Sequence, residues 1–354
     1  MNYIGSKLSL LSFLDESIFS IIDKNCKTFC DLFAGTGIIG RYFKSKGFSI
    51  ISNDIQYYSY VLNKHYIENN EYLNFCKLES EIKDLKNTPD KEKYIKVFDY
   101  LDKIQNNKKG FIYLNYSLGG TRNNEYERLY FTDNNALKCD NIRIKIEEWF
   151  NCNKINEREY YFLMASLLES VDKCANTASV YGAFLKEYKQ SSLKTFNYIP
   201  VEFLISKNHT NKVYNKDANE LIKDIEVDIL YLDPPYNRRQ YCDNYHILET
   251  IAKYDNPKIK GKTGLRVEKK KSLYCNKNEV LNTFNNLIQN VKAKYIFLSY
   301  NNEGLLSLED IKKVMSNKGD YRVFTKEYNR YKADSNRKNL SDKTIEYLHC
   351  CVVN

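Results

Sequence analysis

The rhythm of apolar and polar positions changes three times along the chain. Phe29-Cys30-Asp31-Leu32-Phe33 reads as a short apolar strand that runs into a glycine turn, Ala34-Gly35-Thr36-Gly37. Ile38, Ile39, Tyr42 and Phe43 then recur at helical spacing. Gly47 stops that helix, and Phe48-Ser49-Ile50-Ile51-Ser52 forms a second strand ending at Asn53-Asp54. Strand, glycine turn, helix, and strand with an acid at its tip make a βαβ mononucleotide-binding unit. From about residue 69 to 204 the pattern turns charged and helical, with helices expected over 78–86, 94–104, 142–150 and 157–174. The α/β rhythm resumes near Val227. Strands are expected at 228–232 and 294–299 around a helix over 277–291, and two more at 321–328 and 344–353. A polar loop with Arg330, Lys332, Arg337, Lys338 and Lys343 joins the last two. The reading is an α/β protein whose sheet is built from 1–69 and 205–354, with a largely helical insertion over 70–204.

Composition narrows the classes. The 354 residues are 43% hydrophobic, too apolar for disorder, and no apolar run approaches the ~18 residues of a membrane-spanning helix. The amino terminus lacks the basic-then-apolar pattern of a signal peptide, so a cytoplasmic protein is expected. Ten cysteines occur without a C-x-x-C pair. Cys26/Cys30 and Cys350/Cys351 have no matching second pair, so buried thiols are expected and no metal. The formal charge is 54 − 45 = +9, with 31 Tyr and 18 Phe, which suits a nucleic-acid partner. An AT-rich genome would encode the same bias. More telling is the clustering of Lys258, Lys260, Lys262, Arg266, Lys269, Lys270 and Lys271 around Gly261 and Gly264, which reads as a flexible basic loop able to bind nucleic acid.

Two motifs carry chemistry. Gly35-x-Gly37-x-x-Gly40 lets a ligand approach the backbone closely, and Asp54 stands where an acid meets a ribose diol. Asp31, immediately before the turn, would repel a pyrophosphate but suits the ammonium of an amino acid, and S-adenosylmethionine has such a group and no phosphate. The second motif, Asp233-Pro234-Pro235-Tyr236, closes a buried strand, so its side chains emerge at the carboxyl edge of the sheet, where open α/β sheets bind ligands. The prolines stiffen the backbone and remove two N–H donors, leaving Asp233 and the Pro234 carbonyl as acceptors for an exocyclic amine, with Tyr236 as a stacking face.

These motifs, with Tyr3-Ile4-Gly5-Ser6-Lys7-x-x-Leu10-Leu11 at the start and Asn237-x-x-Gln240-Tyr241 after the tetrapeptide, resemble the adenine-specific DNA N6-methyltransferases of the D12 (Dam-like, alpha) class. The methylases that accompany type IIS restriction enzymes of the FokI kind are the nearest in pattern. Tyr130-Phe131-Thr132, Ile142-Arg143-x-Lys145-Ile146 and Ser179-Val180-Tyr181-Gly182 in the insertion are similar to the family with less specific meaning. The resemblance implies a class I Rossmann-like sheet and S-adenosylmethionine as cofactor. The cofactor would be held by Tyr3, Lys7, Asp31, Phe33, Ala34, Gly35, Gly37 and Asp54, with Asp217 beside its adenine; helix capping explains Asp217 nearly as well. It further implies catalysis by Asp233, Pro234, Pro235 and Tyr236 on a flipped-out adenine of duplex DNA, and a helical insertion that reads the target. Ser299-Tyr300-Asn301 would line the far side of the target pocket. A monomer is expected, with a cognate restriction endonuclease acting separately and no membrane partner. Two other readings stay open at this point: an RNA base N-methyltransferase, and a nucleic-acid-binding protein that keeps the fold without the chemistry. A nicotinamide enzyme would leave Asp-Pro-Pro-Tyr without a role.

Overall fold

The computed structural model describes residues 3–104, 108–206, 210–329 and 343–354. The polar loop expected between the last two strands lies outside them, apart from Lys343. Contacts divide the chain into two units, one of Met1–Tyr3, Lys64–Lys207 and Cys242–Lys269, the other of Ile4–Asn63, Asn208–Tyr241 and Lys270–Asn354.

The second unit contains the sheet. Its strands are β1 (Thr28–Asp31), β2 (Ser49–Asn53), β3 (Lys212–Tyr214), β4 (Val227–Leu232), β7 (Ala293–Asn301), β8 (Gly319–Asn329) and β9 (Lys343–Val353), in the order β3-β2-β1-β4-β7-β9-β8. The first five in that order are parallel, and β9 enters antiparallel between β7 and β8. This is the class I methyltransferase sheet that the sequence led us to expect. Strands covered on both faces are apolar at every position rather than alternately. In β1, Phe29 stacks on Phe43 of the helix Ile38–Ser45 at 4.0 Å, while Cys30 faces the opposite cluster with Leu230, Ile296, Phe284 and Met315. The helix Val280–Gln289 supplies Val280, Phe284, Leu287 and Ile288 to that cluster at i, i+4, i+7 and i+8. The helix Leu308–Ser316 begins with a capping box of Ser307 and Asp310. β3 escaped the sequence reading because three residues cannot establish a period.

The first unit is mainly helical. Asp90–Asp102, Asp133–Asn151 and Glu157–Cys174 are helices, the last opened by a capping box of Asn156 and Glu159. The helix expected over 78–86 is absent. Leu78, Ile82 and Leu85 are buried at a spacing that mimics a helix, but the chain turns instead, with Asp84 at φ 63°. Glu81 accounts for the difference, because it accepts from Trp149 Nε1 at 2.9 Å and pairs with Lys145 at 2.6 Å and Lys154 at 2.5 Å. These partners hold its carboxyl at about 2 against the upward pull of burial. The same unit contains β5 (Ile259–Lys260) and β6 (Leu265–Arg266), an antiparallel hairpin where the sequence suggested an open loop. Of the ten free cysteines, seven are buried. Among the described residues no helix is long and apolar enough to cross a membrane.

At the amino end of the sheet Asp228 ties three strands. It accepts from the Lys27 and Thr28 amides at 2.8 and 3.0 Å and from Thr28 Oγ1 at 2.9 Å, and it pairs with Lys294 at 2.8 Å. Burial alone would raise this carboxyl, but its donors hold it well below the ordinary range. Asp228→Ala is expected to cost roughly 2 kcal/mol, since several donors lose a charged acceptor. A depressed carboxylate stabilises above its unfolded pKa, so the loss should be complete above about pH 4 and shrink as acid protonates the wild-type group. Denaturant titrations of both proteins over that range check the amount and the sign.

Candidate active site

The carboxyl ends of β1, β4 and β7 and the amino-terminal part of the antiparallel β9 converge, within the sheet-bearing unit, on a cluster of charged groups. Asp31 closes β1, Tyr231 is the penultimate residue of β4, Asp233 follows that strand, Ser299 lies in β7 and Glu346 in β9. Lys7 enters from the amino-terminal segment.

The glycine turn is shaped by side chains from the end of β2 and from the helix Tyr57–Asn63 that follows it. Gly35 and Gly37 have φ of 51° and 77°, the left-handed region that favours glycine. A β-carbon at Gly37 would stand 2.7 Å from Asn63 Oδ1. The Gly35 amide donates to Asp54 Oδ2 at 2.9 Å, and the Gly35 carbonyl accepts from Ser59 Oγ and, at 3.0 Å, from Asn63 Nδ2. Asn53 binds the Leu32 and Lys216 carbonyls through Nδ2, at 3.2 and 3.1 Å, and accepts from the Lys216 amide at 3.0 Å. Of these supports the sequence disclosed Asp54; Ser59 and Asn63 sit in an ordinary helical pattern and gave no signal.

Asp31 is 1% exposed, and neither of its carboxylate oxygens receives a well-formed hydrogen bond, the nearby Gly40 amide offsetting its burial only in part. Burial first, and the Asp233 charge second, push its carboxyl well above the ordinary range. A buried carboxylate without a well-formed hydrogen bond is costly, and a cationic group placed against it removes the cost. This is the chemistry of a site for an amino-acid ammonium, and the residues present fit that group.

Asp233 keeps 18% of its side chain exposed, enough to meet a ligand. Burial raises its carboxyl to about 7; Lys7 opposes that rise and Glu346 adds to it. Lys7, 4% exposed, lies 3.2 Å from Asp233 Oδ1 and 2.7 Å from Glu346 Oε1. Ser299 Oγ donates to the same Glu346 oxygen. The tetrapeptide is braced from behind: the Tyr236 carbonyl accepts from the Leu305 amide at 3.0 Å, and the Tyr236 ring meets Tyr300 edge-on at 6.1 Å. Gln240 exchanges two hydrogen bonds with the Ser272 backbone, at 3.0 and 2.9 Å. Glu346 was not singled out from the sequence. Its signal was parity, since Thr344, Glu346, Leu348 and Cys350 share the buried face of β9 and an acid is out of place there.

Asp217 is an N-cap, accepting from the Asn219 amide at 2.9 Å before the short helix Ala218–Leu221. It also lines a cavity of about 520 Å³ with Asn219, Leu273, Tyr274 and Thr283. Phe33 meets Tyr274 edge-on at 5.0 Å. Tyr3 belongs to the other unit and stacks on Tyr245 at 4.7 Å.

The basic segment is divided in the same way. Lys270 and Lys271 are exposed in the sheet-bearing unit, and Lys258, Lys260 and Lys262 project from the hairpin of the helical one. Arg266 and Lys269 depart from the expectation. Arg266 is buried in a two-pronged pair with Asp255 at 2.8 and 2.5 Å, and Lys269 pairs with Asp243, so both hold the segment in place. The hairpin is fixed by its backbone carbonyls: Arg128 donates to those of Gly261 and Lys262 at 3.0 and 3.1 Å, and Tyr116 to that of Gly264 at 2.8 Å.

Relatives of known kind share this chain almost end to end. Type II methyltransferase M.NlaIII of Neisseria lactamica is 48% identical over 353 residues, covering 99% of this chain and 98% of that protein. Type II methyltransferase M.FokI of Planomicrobium okeanokoites is 41% identical over 98% of this chain, which spans about half, 52%, of its length. Type II methyltransferase M.CviAII of Paramecium bursaria Chlorella virus 1 is 38% identical over 98% of this chain and 97% of its own. Residues 3–317 match the sequence model of the D12 class N6 adenine-specific DNA methyltransferases, and the chain belongs to that family of enzymes.

Proposed function

We infer that this DNA adenine methyltransferase takes its methyl group from S-adenosylmethionine and delivers it to an adenine turned out of the duplex at one short sequence. The observation that carries the reading is the buried Asp31 carboxylate, without a well-formed hydrogen bond, beside Asp233-Pro234-Pro235-Tyr236 at one edge of the sheet. The names of the relatives, type II methyltransferases, support service in a restriction-modification system. Bound, the cofactor supplies an electrophilic methyl group on a sulfonium. Asp31 takes its ammonium. Lys7, with two of its three hydrogens directed to Glu346 and Asp233, has a third for its carboxylate. The turn at Gly35 and Gly37 admits it closely, Asp54 serves the ribose, and Phe33 and Asp217 serve the adenine end.

The target amine is a weak nucleophile because its lone pair is delocalised into the purine. Asp233 and the Pro234 carbonyl accept its two hydrogens, which localises the pair toward the methyl group, and Tyr236 stacks on the base. Rotating the base out of the helix is what lets these fixed groups reach it. The helical unit supplies surface for reading base edges, and Lys258, Lys260 and Lys262, with Lys270 and Lys271, meet phosphates.

Label from methyl-tritiated S-adenosylmethionine should appear in N6-methyladenine at one short site of duplex DNA, and Asp233→Ala should abolish it while cofactor affinity persists. Normal turnover in that variant would remove Asp233 from the chemistry, and label confined to RNA would replace the substrate. Since the ionised carboxylate is the acceptor, transfer should decline as pH falls through about 7, the value to which burial raises Asp233. A rate-against-pH profile reads this directly. Changing Lys258, Lys260 and Lys262 together to Gln should flatten the log–log salt dependence of DNA binding by about 0.9 for each phosphate no longer neutralised. An unchanged slope would show that the hairpin does not touch the backbone.

A further inference from the structure

The acceptor that the reaction needs is shared with a buried cation. Lys7 Nζ makes a 2.7 Å hydrogen bond to Glu346 and stands further, at 3.2 Å, from Asp233 Oδ1. Lys7 is 4% exposed and Glu346 1%, so water has little access to replace either partner. Ser299, which flanks Glu346 from the adjoining strand, donates to the same oxygen and fixes its position. We propose that Glu346 is a positioning residue for methyl transfer, drawing the Lys7 ammonium to itself so that it keeps only the longer, 3.2 Å contact to Oδ1 of Asp233 and leaves that carboxylate available to the target amine.

The argument is one of competition. An ammonium in a dry site pairs with the nearest anion, and a charge-assisted bond from Lys7 to Asp233 is stronger than the neutral N–H bond that the adenine offers. With Glu346 present the lysine has a better partner. Without it, Asp233 is the partner that remains, and the incoming amine must displace a cation. This rests on the reading of the site as an adenine N6 transferase.

Among the described residues, charged and titratable groups face the pair from several elements. Asp233 is faced by Lys7, Glu346, Asp31 and Tyr231, Lys7 by Asp233, Glu346, Tyr231 and Tyr236, and Glu346 by Lys7, Asp233 and His349. The Glu346 charge raises the Asp233 carboxyl and the Lys7 charge lowers it. Removing the Glu346 charge thus lowers Asp233 twice, directly and by letting Lys7 close in, whereas removing Lys7 raises it.

The test uses the full-length enzyme and steady-state transfer to duplex DNA across the acid limb. Glu346→Gln should reduce kcat roughly 10- to 100-fold with an unchanged KM for the methyl donor. Its acid limb should move down by about one pH unit, and that of Lys7→Met should move up. Adding Lys7→Met to Glu346→Gln should restore part of the lost kcat. A carbon-13 NMR titration of the Asp233 carboxyl, assigned with Asp233→Asn, should show the same opposite displacements without turnover. A limb and titration unmoved in Glu346→Gln, or moved upward, would overturn the proposal, since a merely structural glutamate lowers activity without that sign. Should Glu346→Gln not fold, Glu346→Asp, which keeps the charge but withdraws it by a methylene, should give a smaller downward shift, and no shift would equally overturn it. Absence of adenine methylation by the wild-type protein would instead overturn the functional reading, and the NMR comparison would still decide the role of Glu346.

Discussion

A parallel sheet buried on both faces leaves its carboxyl edge as the place where polar side chains can collect, and here two acids share one lysine while a third, Asp31, faces Asp233. Asp31, Asp233 and Glu346 are each largely withdrawn from water, and Lys7 is the cation shared by the last two. Like charges in a poorly solvated space raise one another's affinity for protons, as Asp31 and Asp233 both show. Such an edge is incomplete by itself. Its unbalanced acidity favours a ligand bearing positive charge, and a sulfonium amino acid with its ammonium is such a ligand.

The scaffold that supports this edge uses backbone groups more than side-chain pairs. Asn53, Ser59 and Asn63 hold the carbonyls of Leu32 and Gly35, and Asp54 holds the Gly35 amide. In the helical unit Arg128 and Tyr116 do the same for the hairpin. A loop whose carbonyls are individually satisfied pays its ordering entropy on folding, so lysines carried on it would meet a phosphate without paying it again on binding. The departure from the expected flexible loop is therefore one of rigidity: Arg266 is buried against Asp255, and Lys258, Lys260 and Lys262 are exposed on a hairpin held in place.

Much of the sheet was legible because buried parallel strands read as unbroken apolar runs ending in glycine or acid, as at Asp31 and Asp233. The helices Glu157–Cys174 and Val280–Gln289 were legible for the complementary reason, a sustained 3.6-residue period. What misled was short range. Leu78, Ile82 and Leu85 have helical spacing without a helix, because Glu81 finds two donors on the helix Asp133–Asn151 and a third just past its end, and nothing local records them. The same holds for the site. Asp31, Asp54, Asp233 and Lys7 are marked by their neighbours in sequence, whereas Glu346, 339 residues from Lys7, is marked only by the contact between the two.

That separation gives Glu346 a distinctive place in the fold. The acid rides on β9, which enters the sheet antiparallel, so its approach to the site comes from the opposite chain direction to that of Asp31 and Asp233. Register decides whether it arrives: Glu346 pairs with Asn301, and two positions along β9 Leu348 pairs with Ser299. A slip of one residue would turn Glu346 to the other face of the sheet and bring a neighbour of opposite parity in its place. Among the described residues, Lys7 would then be left with Asp233 as its carboxylate partner. The reversed strand thus serves two ends at once, joining β7 to the edge strand β8 and bringing Glu346 to Lys7, and if Glu346 acts as proposed its pairing with β7 would be a condition of the chemistry alongside the tetrapeptide.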